Sequence, residues 1–223
     1  MMRRTVLRSI LLVAAMAAGI APVAAATGAQ TADFFRAVQM DDPHTVQSLL
    51  GAVDPNAVNP VGGEPAVVLA VREGSMRVLD VLLRHPGTKV DAQAMNGNTA
   101  LMMAAFKKNR PAAEALIAKG AAVNRPGWTP LHYAAASGDV DIAQLLLARG
   151  ARIDAVSPPA SGKYTPLMMA AREGQEDCAL FLLGKGADPQ LKNGEGLTAA
   201  QIAQKADHAG IAAAIDQRVR RGR

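Results

Sequence analysis

Cysteine is almost missing from this chain: Cys178 is the only one in 223 residues. A lone cysteine excludes a disulfide framework, a CxxC redox pair and a Cys/His zinc cluster. Aromatic residues are also scarce, at 3%, with one tryptophan and two tyrosines. Ala and Leu must therefore carry the core, as suits thin stacked helices and not a large globular interior. No GxSxG, HExxH, P-loop or paired-carboxylate motif occurs, so no catalytic constellation and no cofactor is expected. His44, His85, His132 and His208 are too far apart in the chain to form a spaced ligand set. The doubled methionines Met102-Met103 and Met168-Met169 suit core packing better than a copper site. Asp139 and Asp141, two apart, do not share a helix face and read as caps.

The ends of the chain differ from its middle. Arg3, Arg4 and Arg8 precede an apolar, Ala-rich run at Ile10–Ile20, and Ala24-Ala25-Ala26 forms a small-residue cleavage site before Thr27. This is the pattern of a cleaved export signal over residues 1–26; the run is short for a span of ~30 Å, and Pro22 interrupts it. The style is bacterial, and the expected location is the periplasm, with secretion beyond it as an alternative. The Sec route is expected; the paired arginines also fit twin-arginine export. The net charge is +5. Without the three leader arginines it is +2, and without Arg218, Arg220, Arg221 and Arg223 as well it is −2. The basic balance thus belongs to the ends, so neither nucleic-acid binding nor membrane insertion after cleavage is expected. Residues 218–223 read as a solvated basic tail.

What fills the middle is repetition. In GWTPLHYAAASGDVDIAQLLLARGA (127–151), Thr129 can cap a helix and Pro130 suits its first position. Leu131, Ala134 and Ala135 recur at helical spacing, Gly138 breaks the run, and Ile142, Leu145 and Leu146 stripe a second helix up to Gly150. With Thr129 as position one, equivalent positions fall at Ala32, Pro65, Thr99, Thr165 and Thr198, in steps of 30 to 36 residues. The second-helix pair recurs as Leu49-Leu50, Leu82-Leu83, Leu116-Ile117, Leu146-Leu147, Leu182-Leu183 and Ala214-Ile215. Helices this short are unstable alone and must bury their stripes on one another.

A period near 33 with a TPLHxA core is similar to the ankyrin repeat. TPLHYAA (129–135) is near consensus, TPLMMAA (165–171) and TALMMAA (99–105) are close, and PAVVLAV (65–71) and LTAAQIA (197–203) are degraded. The resemblance spans about residues 31–217. It implies an all-α solenoid of about six helix-turn-helix units joined by β-hairpin-like fingers, with residues 27–217 as one domain. In the third unit Asn109 is expected to take the left-handed turn, with Pro111 opening the next helix. The connector before the fourth unit is shortened to Arg125–Trp128. The one before the fifth is lengthened to Ala155–Tyr164 and should protrude.

The resemblance also implies a partner protein docked on the concave face, formed by the fingers and the exposed ends of the first helices. Carried over by position, the tip residues are Glu64, Asn98, Trp128, Tyr164 and Leu197. Positions eight and nine of the first helices are Arg72-Glu73, Phe106-Lys107, Ala136-Ser137, Arg172-Glu173 and Lys205-Ala206. Trp, Tyr and Arg dominate binding hot spots, so the candidate site is Trp128, Tyr164, Phe106, Lys163 and Arg172. Tyr133 is assigned to the core, and His132 to bracing a turn. The alternative for Trp128 and Tyr164 is that they pack neighbouring fingers together. The expected function is a non-enzymatic protein-interaction module in the envelope, with no small-molecule substrate. A periplasmic immunity protein and a host-directed effector are the alternatives, and a redox role for Cys178 is the reading from a different class.

Overall fold

The structure, a computed structural model, describes residues 26–221; the leader expected at 1–26 lies outside it except for Ala26. Among the described residues there are twelve α-helices in six pairs. They are α1 (Gly28–Gln39) with α2 (Pro43–Leu49), α3 (Ala66–Glu73) with α4 (Met76–Arg84), and α5 (Ala100–Phe106) with α6 (Arg110–Ala118). The remaining pairs are α7 (Pro130–Ser137) with α8 (Val140–Ala148), α9 (Pro166–Arg172) with α10 (Glu176–Gly184), and α11 (Ala199–Lys205) with α12 (Ala209–Arg221). Odd helices pack in one row and even helices in another, each against its neighbours. The odd row is tighter because alanines line it: Ala104, Ala105, Ala134, Ala135, Ala170, Ala171 and Ala203 are all fully buried. Leu101, Leu131 and Leu167 fill the spaces between units, each fully buried; truncating any one to Ala should cost about 2–5 kcal/mol.

Each helix pair turns at one left-handed residue, and it is always position ten. Gly74, Gly138 and Gly174 (φ +74° to +76°) share the conformation with Asp41, Lys108 and Asp207 (φ +51° to +62°). The third unit differs from expectation here. Lys108, not Asn109, is left-handed, because the Asn109 side chain is needed as the cap of α6, accepting from the Ala112 N–H at 3.0 Å. A Cβ at 138 would also meet the end of the Gln175 side chain of the next unit, which would have to move aside. Asp139 caps α8 by accepting from the Ile142 N–H at 2.8 Å.

The first helices start from a reciprocal cap in which the partner changes. Thr129 donates its backbone N–H to His132 Nδ1 at 3.1 Å. In the equivalent places Thr99 and Thr165 donate to the thioethers of Met102 and Met168 at 3.5 and 3.4 Å, and Thr198 donates to Gln201 Oε1 at 2.9 Å. Both methionines are buried, as expected, and their sulfurs also serve as weak acceptors. In the first unit α1 starts earlier than the repeat predicts, capped by Thr27 with Gln30, so Ala32 lies inside it. The extra turn needs no neighbour on its outer side, as suits a terminal unit.

The fingers are less strand-like than the resemblance implies. The only β pairing among the described residues is an isolated antiparallel bridge, Val58 with Pro65. The other fingers are turns closed at the neck by single bonds, such as Ala94 N–H to Asn98 O at 2.9 Å and Ser157 N–H to Tyr164 O at 2.8 Å. Prolines at 60, 126, 158 and 159 have no N–H to extend a ladder. A different ladder links units: Asn56, Asp91, Asn124 and Asp154 accept from the backbone N–H of Lys89, Ala122, Arg152 and Asp188 in the following units, at 2.7 to 3.1 Å. At the far end, α12 runs through Arg218 and Arg220 to Arg221. The basic tail therefore begins as helix, and does not fray at 217; arginine is a good helix former and its charge suits a helix C-terminus.

Two expectations follow. Lys108→Gly should raise stability by about 1 kcal/mol in urea unfolding, since glycine removes the left-handed strain that Lys108 bears. His132 should make stability depend on pH. Burial holds its imidazole down to about 4, against an ordinary 6.5. The folded state then binds fewer protons than the unfolded one, so the contribution is complete above pH 6.5 and is lost as pH falls toward 4. That loss should be about 3 kcal/mol. His132→Gln, which can keep the cap as Gln201 does, should flatten this part of the profile.

Candidate functional site

The fingertips and first helices follow one rule: the tip residue of each unit lies eight positions before the exposed end of its own first helix. In the second unit this places Glu64 in an ion pair with Arg72, and Arg72 also holds Glu73 at 2.7 Å. In the fifth unit it places the Arg172 guanidinium 5.1 Å from the Tyr164 ring centre, with Glu173 at 2.7 Å from Arg172. In the fourth unit the pair is Trp128 and Ala136. Position eight is Gln39, Arg72, Phe106, Arg172 or Lys205 elsewhere, so Ala136 leaves a gap between Phe106 and Arg172.

That gap is a groove of about 250 Å³. Phe106, Trp128 and Tyr133 form its aromatic wall, His132, Ala136 and buried Met169 its floor, and Arg172 with Glu173 its far rim. Tyr133 is central. Phe106 meets it edge-on at 6.4 Å and Trp128 at 6.4 Å, and its hydroxyl donates to Asn98 Oδ1 at 2.5 Å. Phe106 keeps 52% of its surface exposed. The Trp128 ring also stands edge-on to His132 at 5.1 Å, and its Nε1–H donates to Ser161 Oγ at 3.3 Å. His132 in turn joins the fourth unit to the fifth. Its Nδ1 accepts from Thr129, so its Nε2–H donates to the Tyr164 carbonyl at 3.0 Å, which fixes the neutral tautomer.

The lengthened finger is fastened on both sides. It carries a 3₁₀ turn at Pro159–Ser161, takes the Trp128 bond at Ser161, and accepts from the Gly194 N–H at Gly162 O, 2.7 Å away. Trp128 therefore both packs fingers together and walls the groove.

Of the five residues singled out from the sequence, Phe106, Trp128 and Arg172 meet in this groove. Tyr164 adjoins it through Arg172. Lys163 is exposed at a left-handed position (φ +55°) and is not part of the lining. Tyr133 corrects the assignment made to it: it is half-buried, packed on the core by one face and open to the groove by the other. Ala136 was the available signal, since a small residue at a position otherwise large predicts a depression whose neighbouring ring is uncovered.

A family model described as ankyrin repeats (three copies) matches residues 34–126, 69–157 and 123–193. The human transient receptor potential cation channel subfamily A member 1 is 35% identical over 85 residues, covering 37% of this chain and 8% of that protein. A probable E3 ubiquitin-protein ligase of rice is 33% identical over 136 residues, 58% of this chain and 30% of the ligase. The mouse RelA-associated inhibitor is 47% identical over 64 residues, 27% of this chain and 8% of the inhibitor. This chain thus spans less than a third of the length of each of these relatives.

Outside the groove, Cys178 is the group to weigh chemically. It is fully buried in α10, and burial pushes its thiol up to about 12. The thiolate is the reactive form, so the folded protein should give no labelling with a thiol reagent at pH 8, and one equivalent after unfolding in guanidinium. Labelling of the native protein at the rate of a free thiol would restore the redox reading.

Proposed function

This chain belongs to the ankyrin-repeat family, and on that premise we propose that it is a non-enzymatic adaptor of the bacterial envelope, holding a partner protein in the Trp128 groove. Ankyrin repeats form protein-interaction modules, and the observation that carries this reading is the aromatic depression left by Ala136. Three aromatic rings from a chain with only seven line it, and one of them is the single tryptophan. Such rings bury much area at little rotamer cost. Arg172 is held in place by Tyr164 and Glu173, so a partner would not have to order it.

The envelope part rests on the leader pattern of residues 1–26 and on the place where the fold begins. Thr27, the first residue after the small-residue site, caps α1, so cleavage there would leave every repeat intact. Among the described residues no helix is long and apolar enough to cross a membrane.

The test is affinity capture from periplasmic extract with the purified protein as bait. Two controls remove the groove in opposite ways: Trp128→Ala with Tyr164→Ala empties its wall, and Ala136→Arg fills it. Arg stands at the same position in two other units, so the second change should leave the fold unaltered. A protein retained by the parent and lost with both controls is the expected result. A partner held equally by all three would move the site off the groove, and nothing retained by a folded bait would remove the envelope adaptor.

A further inference from the structure

We propose that the groove's occupant is an acidic segment of the partner, in which one aromatic or large aliphatic side chain is flanked by Asp and Glu. This rests on the reading of the groove as the docking site and adds the chemistry of what docks.

The size of the groove argues for a single anchor. At about 250 Å³ it is smaller than the roughly 300–1,000 Å³ of cavities that enclose drug-sized ligands. Its apolar wall and floor, Phe106, Trp128, Tyr133 and Met169, accept one inserted side chain and offer no buried unpaired polar atom to a more polar one.

The charges around it argue for acid. The carboxylates on this side are already paired within the chain: Glu64 and Glu73 with Arg72, Glu173 with Arg172, and Glu195 with Lys205. The cations are in excess. Lys107 follows Phe106, Lys163 precedes Tyr164, and Arg125 is fastened to Gly97 O, one residue before the Asn98 that accepts from the Tyr133 hydroxyl; no ion pair among the described residues uses any of the three. Lys107 and Lys163 are exposed, while Arg125 is half-buried and donates to Gly97 O at 2.9 Å. Because Glu64 and Glu73 share the one Arg72, these three unpaired cations leave the surroundings of the apolar anchor site at a net charge of +2. Three rings around a groove also suit a quaternary ammonium group. That occupant is disfavoured here, because Arg172 forms the rim, Arg125 and Lys107 flank the wall, and the one lining carboxylate, Glu173, is spent on Arg172. Charge complementarity sets both encounter rate and choice of partner.

Trp128 supplies the readout, being the only tryptophan. The purified protein is titrated with three short peptides, each with one central phenylalanine flanked on both sides by Glu, by Lys or by Gln, while Trp128 emission is followed. The Glu-flanked peptide should give a saturable change, at least about tenfold tighter than the Gln-flanked one and weakening as salt rises. Reversing Lys107→Glu with Lys163→Glu should lose about that tenfold for the Glu peptide and gain for the Lys peptide. Both lysines are exposed, and unchanged helical content checks the fold. Tighter binding of the Lys peptide overturns the proposal in favour of a cationic ligand, and equal binding of all three overturns the role of charge. No Trp128 response to any peptide overturns the acidic segment; if the capture experiment still yields a groove-dependent partner, the docking reading stands without it.

Discussion

No helix pair in this protein can bury its own apolar stripe, and everything else follows from that constraint. Most of the helices are seven to nine residues long, below the length at which isolated helices persist in water. Stability must come from neighbours, so each unit presents alanines to allow close approach and a leucine or similar residue to fill the space between. The coupling is reinforced at three levels along the stack: buried side chains between odd helices, Asn and Asp bridges at the start of the first four fingers, and side chains reaching across at the inter-helix turns, as Asp41 does to the Val78 N–H and to Arg77. Among the described residues the main helix–helix contacts are within a unit or to an adjacent one, which makes the energy nearly one-dimensional.

This explains which features were legible in the sequence. Position ten, the left-handed turn, is recoverable where glycine marks it, at Gly74, Gly138 and Gly174, and its spacing of nine residues from Thr or its equivalent holds also where Asp41, Lys108 and Asp207 replace glycine. The second-helix pairs of the four inner units are also recoverable, the first member being fully enclosed at Leu82, Leu116, Leu146 and Leu182; in the terminal units Val46 and Ile215 are enclosed instead, and Leu49, Leu50 and Ala214 are only partly buried. Hidden from the sequence were features that depend on which of two adjacent groups takes a role. Asn109 and Lys108 are both polar, and only the competition for the α6 cap decides which is left-handed. The fingers likewise contain hairpin-like spacing but are turns: prolines 158 and 159 interrupt the lengthened finger, while the finger closed by Ala94 and Asn98 carries no proline and is too short for a ladder.

The candidate site was legible residue by residue and not as a shape. Phe106, Trp128 and Arg172 were recognised from composition, being rare or hot-spot types at exposed positions. Their convergence depends on Ala136, a residue without a functional group, and on Tyr133, whose place four residues into α7 reads as core from periodicity alone. Tyr133 is uncovered because the position that would overlie it is small. A groove of this kind is made by subtraction, and subtraction leaves no motif.

A site made this way sits lightly on its scaffold. The residues that hold the units together, Thr129, Leu131, His132, Ala134 and Ala135, are buried at 0% or 1% exposure, whereas Trp128, Tyr133, Ala136 and Arg172 lie at or near the surface of the same or the adjoining unit. His132 is the exception that connects the two sets. It caps α7, donates to Tyr164 O and touches the Trp128 ring, so the same imidazole fixes the scaffold and positions the wall of the groove. Substitutions at positions zero and eight can therefore change what is bound while the stack is preserved, and a change at His132 alters both. The repeat supplies stability from residues that every unit needs, which leaves the exposed positions free to differ between units and to give the fourth unit its aromatic groove.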